Sequence, residues 1–274
     1  MSEELFLASD VRENEIYGEA CGEARTLCIF LAKYSSVLLG CGSTCIRLEK
    51  NVKRIAEAYG MEAELYIMPR HIQISVWEKS HTATVTVLEA VSPIGISFEV
   101  NTLLSRLSWE IADKKISFGE AIEIFEGIIS CRKQKKFLII LLVALANASF
   151  CRLFGGDIAA MITVSISTAI GYLLKMILLK INIDVRMVVL LSALLSALIA
   201  GSAVEFSIGG TSRIALATSV LYLVPGIPFI NSFSDVIYRH YICAFGRFFD
   251  AVVLTCCLSA GLFLAMKILG INMF

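Results

Sequence analysis

Several things are scarce in this chain, and each absence excludes something. Histidine occurs three times (His71, His81, His240), and none of the nine cysteines forms a Cys-x-x-Cys pair, so no zinc spacing is present. No Gly-rich phosphate loop and no Gly-x-Ser-x-Gly elbow occurs, and no residues assemble a catalytic constellation. Cys41 and His71 are far apart in sequence, with nothing to pair them as nucleophile and base. Net charge is missing too: 24 basic residues balance 24 acidic ones, which argues against a nucleic-acid partner. The odd, unpatterned cysteines read as small buried hydrophobes in a reducing compartment. The acidic start, Met-Ser-Glu-Glu-Leu-Phe, lacks the basic segment of a secretory signal.

Charge is also missing from half of the chain. Residues 1–136 carry 16 Lys/Arg and 19 Asp/Glu, whereas residues 137–274 carry 8 and 5. With 57% hydrophobic residues and a mean hydropathy of +0.76, the excess lies in the second half. A spanning helix needs about 20 apolar residues. Five apolar stretches approach or reach that length: 137–153, 158–179, 185–204, 214–233 and 248–271. Basic residues fall on alternate sides of these stretches. Arg132, Lys133, Lys135 and Lys136 precede the first, Lys175, Lys180 and Arg186 join the second to the third, and Arg239 and Arg247 join the fourth to the fifth. Arg152, Arg213 and Lys267 mark the other side. The positive-inside rule therefore predicts a cytoplasmic N-terminal half and an external C-terminus.

The expected fold class is an α+β cytoplasmic domain (1–134) followed by an all-α transmembrane bundle of five helices (135–274). Helices are expected over Glu15–Tyr59, with a break at Gly40–Ser43, and over Phe98–Asp113 and Phe118–Cys131. Ser43 or Thr44 is placed to cap the helix from Cys45, and Ser117 with Glu120 forms a capping box. Strands are expected at Glu64–Met68, His71–Glu78 and Thr82–Leu88, the last two forming a hairpin around Lys79-Ser80-His81. Arg47, Glu49, Lys53 and Arg54 read as a solvated helix face, with Arg47 a candidate for a regulatory role. Small residues recur along the spans, among them Ser165, Ser167, Gly171, Ser192, Ser196 and Gly201. They suit tight helix packing on some faces and a hydroxyl-lined path on others.

Proline is rare at four residues, yet two stand together in the fourth apolar stretch, Leu223-Val-Pro225-Gly226-Ile-Pro228-Phe-Ile-Asn231-Ser-Phe-Ser-Asp235. Each proline removes a backbone donor. In hydrocarbon, a broken helix survives only where it packs on protein or lines a cavity, which is how transporters build midplane sites. Pro225, Gly226 and Pro228 are the expected break, Asn231 a solute ligand, and Asp235 a carboxylate for a substrate ammonium or a coupling proton. Asp250 is a secondary proton-relay candidate, and Asp157 a further one at an outer helix end.

This segment, together with Leu38-Leu39-Gly40-Cys-Gly-Ser43-Thr44-Cys-Ile-Arg47-Leu-Glu49 and Arg54-Ile-Ala56, resembles the threonine/serine exporter family over nearly the whole chain. Cys41 stands where members often carry alanine, and Arg239-His240 where a glycine is common. The resemblance implies export of small polar metabolites, amino acids or a dicarboxylate such as succinate, across the bacterial inner membrane and driven by an ion gradient. With no catalytic motif in the chain, no cofactor and no enzymatic activity are expected. The resemblance also implies a second small multi-span subunit, because the chain matches only the first half of members with about ten spans; the odd count of five spans agrees. The contrasting reading is a membrane-anchored sensory or structural protein acting through its N-terminal domain.

Overall fold

The computed structural model describes residues 3–78, 84–92, 95–114, 116–130, 136–207 and 209–271, with side chains from residue 22 onward. The chain forms two compact units that do not follow sequence order. Met1–Cys131 and Ile227–Phe248 make one, and Arg132–Gly226 with Phe249–Phe274 make the other.

The first unit is built on α1 (Glu3–Gly40), whose Leu27, Leu31, Tyr34 and Leu38 recur at helical spacing and are buried. They pack on a three-stranded antiparallel meander, β1 (Met61–Ile67), β2 (His71–Glu78) and β3 (Thr84–Ala90), in the order β1-β2-β3. In β2 the alternation buries Ile72, Ile74 and Val76 on one face. Register pairs Ala63 with Val76 and Ile74 with Val87. β1 begins three residues earlier than sequence alternation predicts, at Met61. The expected turn at Lys79-Ser80-His81 lies outside the described residues.

Helix α2 (Cys45–Ala58) buries Leu48, Val52 and Ile55 and turns its polar face to α3 (Phe98–Lys114). Arg47 donates to Asn101 (3.0 Å), Asn51 to Ser105 (3.2 Å) and Arg54 to Ser108 (2.7 Å). Each pair is 54 residues apart, so the helices run parallel, joined by a polar zipper. Lys53 and Glu49 form a local ion pair (2.8 Å) on the expected polar face, but Arg47 and Arg54 are held by α3, Arg54 also stacking 3.6 Å over Trp109. Ser117 caps α4 (Phe118–Ser130) by accepting from the Glu120 amide. The unit is completed by α9 (Gly226–Ile237) and the start of α10 (Tyr241–Ile268).

The second unit contains α5 (Lys136–Leu153), α6 (Ile158–Lys180), α7 (Val185–Glu205), the short α8 (Ser212–Thr218) and the rest of α10. Among the described residues, α5, α6, α7 and α10 are long and apolar enough to cross a membrane. The α8–α9 pair, bent by 57° at its break, raises the count to as many as five. The interior here is made of small residues: Ala193, Ala197, Ala265, Ser192 and Ser196 are fully buried. Gly171 lets α6 and α7 touch, because a Cβ there would collide with Ser196 Oγ and the Tyr222 hydroxyl.

Candidate functional site

The proline segment divides between the two units. The helix ends at Thr218, passes through a single 3-10 turn (Leu221–Leu223), and restarts at Gly226. Val224 is extended (φ −60°, ψ 126°), as a residue before proline must be. Pro228 falls in the first turn of α9, where its missing N–H costs no helical bond.

Beyond the break, α9 carries Asn231 and Asp235 to the loop between α1 and α2 in the first unit. Asn231 Nδ2 donates to the Gly42 carbonyl (2.8 Å). Gly42 has φ 87°, a conformation in which glycine is unstrained. Asp235 is fully buried. Its Oδ1 accepts the amide of Cys45, the first residue of α2 (2.9 Å), and its Oδ2 accepts from Arg247 Nη1 (2.8 Å). Arg247 Nη2 donates to the Ser43 carbonyl (2.8 Å). Ser232 on α9 donates to the Ala244 carbonyl on α10 (2.8 Å). Thr44 occupies the N-cap position of α2 but its side chain makes no cap bond. The cap comes from Asp235, 190 residues away, a negative charge set against the positive end of the α2 dipole. His240 approaches Glu49 at 3.4 Å, and Arg239 closes α9 with φ 65°, where glycine is favoured.

The same corner gathers sulfur. The side-chain donor atoms of Cys45, Asp235 and Cys243 lie within 4.8 Å of one another, all buried. Both carboxylate oxygens are already engaged, and the hydrogen bond with Cys243 and then burial push the Cys45 thiol well above its ordinary range. In this protonated state Cys45 is a packing group; it ligates a soft metal only on losing its proton.

The second unit has polar chemistry of its own at the helix break. Asn147 of α5 donates to Thr168 Oγ1 of α6 (2.6 Å) and to the Thr218 carbonyl at the end of α8 (3.2 Å). A carbonyl left over by the break thus finds a side-chain donor. Ser196 of α7 donates to the Ser167 carbonyl (3.2 Å) and shares a 2.9 Å hydrogen bond with the Tyr222 hydroxyl, in the turn itself. Two buried atoms in this seam have no hydrogen-bond partner among the described residues, Asn147 Oδ1 and Ser192 Oγ.

The remaining sequence candidates are dispersed. Asp157 caps α6 through the Ala160 amide (2.7 Å) and also accepts from the Gly210 amide (2.7 Å). These bonds, Ala160 first, hold its carboxyl below the usual range. Asp250 is exposed on α10, and Arg47 belongs to the α2–α3 zipper. Sequence reasoning missed Arg247, Cys45 and Cys243, which meet Asp235 only in three dimensions. It also missed Asn147 and Tyr222, counted within apolar runs although each is a polar group that needs a partner there.

Comparison with known proteins now bears on these positions. Residues 29–269 match the family described as "Putative threonine/serine exporter". The chain belongs to this family. It is 26% identical over 248 residues to a "Probable succinate transporter subunit YjjP" of Klebsiella aerogenes, covering 90% of this chain and 94% of the relative. It is 33% identical over 139 residues to the protein of the same name from Escherichia coli K12, covering 50% and 54%. No solved structure matches. As a member of the exporter family with, among the described residues, four to five segments long and apolar enough to cross a membrane, the protein is a multi-pass membrane protein of transport. Both family-like sequence blocks, around Gly40–Cys45 and Asn231–Asp235, meet in one clasp.

Proposed function

We propose that the chain is one subunit of a split secondary transporter that exports small carboxylate metabolites, with a dicarboxylate such as succinate favoured over threonine or serine. The observation that carries this is an apolar helix interrupted beside a buried seam of amide and hydroxyl groups, Asn147, Thr168, Ser196 and Tyr222. A sensory or structural anchor needs no polar membrane interior. The relatives named as succinate transporter subunits support the choice of solute and the need for a second subunit. Five spans, counting the α8–α9 pair as one, leave half a pathway, and a small multi-span partner supplies the other wall. Lys/Arg placement orients the N-terminal unit to the cytoplasm of a bacterial inner membrane.

In this reading the proton gradient acts on Asp235. Protonation there would release Arg247 and uncap α2, loosening α9 from the Gly42–Cys45 loop and so coupling proton uptake to the helix beyond the break. Efflux of labelled succinate and threonine is measured from cells expressing the chain with and without a co-expressed small membrane partner. Succinate efflux that needs both subunits is expected; none with either solute in either combination removes the exporter reading. An Asp235→Asn protein that exports with unchanged pH dependence removes Asp235 from the coupling step.

A further inference from the structure

We propose that Lys175 is the anchor for the solute's carboxylate in the membrane unit. This inference rests on the carboxylate-exporter reading above and gives that reading its first charged contact. Sequence counting placed Lys175 in a connecting loop, but it lies inside α6, more than a turn before the helix ends. The outer face of α6 is marked by Ile166, Ile170, Leu173 and Ile177, all exposed. The packed face is marked by Val164, Ser167, Thr168 and Gly171, all buried. Lys175 stands four residues after Gly171 and continues the packed face by one turn, not the lipid face. It is half-buried.

Its neighbours lead from the ammonium to the break. Lys175 Nζ lies 5.6 Å from the centre of the Tyr172 ring, and that ring lies 6.2 Å from the Tyr222 ring. The Tyr222 hydroxyl bonds Ser196 Oγ. One turn before Ser196 on α7 stands Ser192, whose buried hydroxyl has no partner among the described residues. Because α6 and α7 are consecutive antiparallel helices matched at Ser167 and Ser196, that turn runs in the direction of Lys175. Among the described residues no carboxylate pairs with Lys175. A cation within a spanning helix is costly unless an anion or water meets it. A solute with one carboxylate and a second polar group matches a lone ammonium beside hydroxyl donors. A lipid phosphate has the same charge chemistry and is the competing source of the anion.

The test is succinate efflux from cells carrying the chain and its partner, comparing wild type, Lys175→Gln and Lys175→Arg, with membrane abundance measured for each. Lys175→Gln is expected to raise the KM for succinate about ten- to a hundredfold, the span for losing one charge-assisted hydrogen bond, and Lys175→Arg to restore most of it. A Lys175→Gln protein with the wild-type KM overturns the proposal. If Lys175→Gln fails to accumulate, Lys175→Met and succinate-induced thermal stabilisation of the purified wild-type chain decide instead. The stabilisation is measured in vesicles of phosphatidylcholine alone and with added phosphatidylglycerol. Stabilisation in both that Lys175→Met abolishes supports solute binding. A Lys175 effect confined to anionic vesicles assigns the residue to lipid headgroups and overturns the proposal. Wild-type cells that export neither solute sink the exporter reading itself; succinate stabilisation lost on Lys175→Met still upholds the anchor, and its absence from wild type overturns that as well.

Discussion

The two units fill their interiors in opposite ways. In the unit of Met1–Cys131 and Ile227–Phe248, large side chains such as Leu31, Ile55, Ile74 and Leu107 fill the core, and its buried charge, Asp235, is fully bonded. In the membrane unit alanine, serine and glycine fill the interior; among the described residues Asn147 and Ser192 keep unsatisfied atoms there, as Ser35 does in the first unit. Burial of large apolar side chains is what the hydrophobic effect drives in water. Lipid offers no such drive, so close approach and hydrogen bonding hold the second unit together. A polar atom left open in hydrocarbon is a poor structural choice and a good place for a solute to touch.

That contrast can be broken or sharpened by substitution. The largest effect is expected for Arg247→Leu, which leaves Asp235 as an uncompensated buried anion at a cost of about 3–5 kcal/mol. Thermal unfolding and membrane yield read it, and a second change, Asp235→Asn, is expected to recover a good part of the loss. Ile74→Ala should cost about 2–5 kcal/mol by opening a cavity under α1. Equal tolerance of Ile74→Ala and Ala197→Gly in detergent melts would erase the difference in core type. In the membrane unit the sensitivity reverses: Gly171→Val, which overpacks the α6–α7 contact, should cost about 1–3 kcal/mol, visible as loss of detergent-stable protein. Ser192→Ala removes an unpartnered hydroxyl and should change stability by less than about 0.5 kcal/mol, while lowering export if the hydroxyl serves a solute. A large melting shift for Ser192→Ala would mean that the seam is structural.

The periodic parts of the fold were legible. α2, α3, α4 and the β2 strand carry spacing that reports which face is buried, and the structure places them within a few residues of expectation. The double proline told of a break, and a break is there. What the break joins was not legible. Asn231 and Asp235 read as lining the path of a membrane helix, yet they bond Gly42 and Cys45, because hydrogen bonds across 190 residues leave no periodic trace. Ser43 or Thr44 was expected to cap α2, and a distant carboxylate does so instead. Lys175 was misread for a simpler reason. Charge at the end of an apolar run suggests a loop, whereas its spacing from Ser167, Thr168 and Gly171 carried the helical signal.

The clasp around Asp235 also sets a timetable. The ribosome completes residues 1–131 well before Ile227 exists, and at about 5–20 residues per second the interval is several seconds or more. For that time the N-terminal part holds its Gly42–Cys45 loop and the bare amide of Cys45 without the carboxylate that caps it. The clasp can close only once Asp235 and Arg247 have been made, so the first-made part of this unit waits for a segment that follows α5 to α8 in the chain.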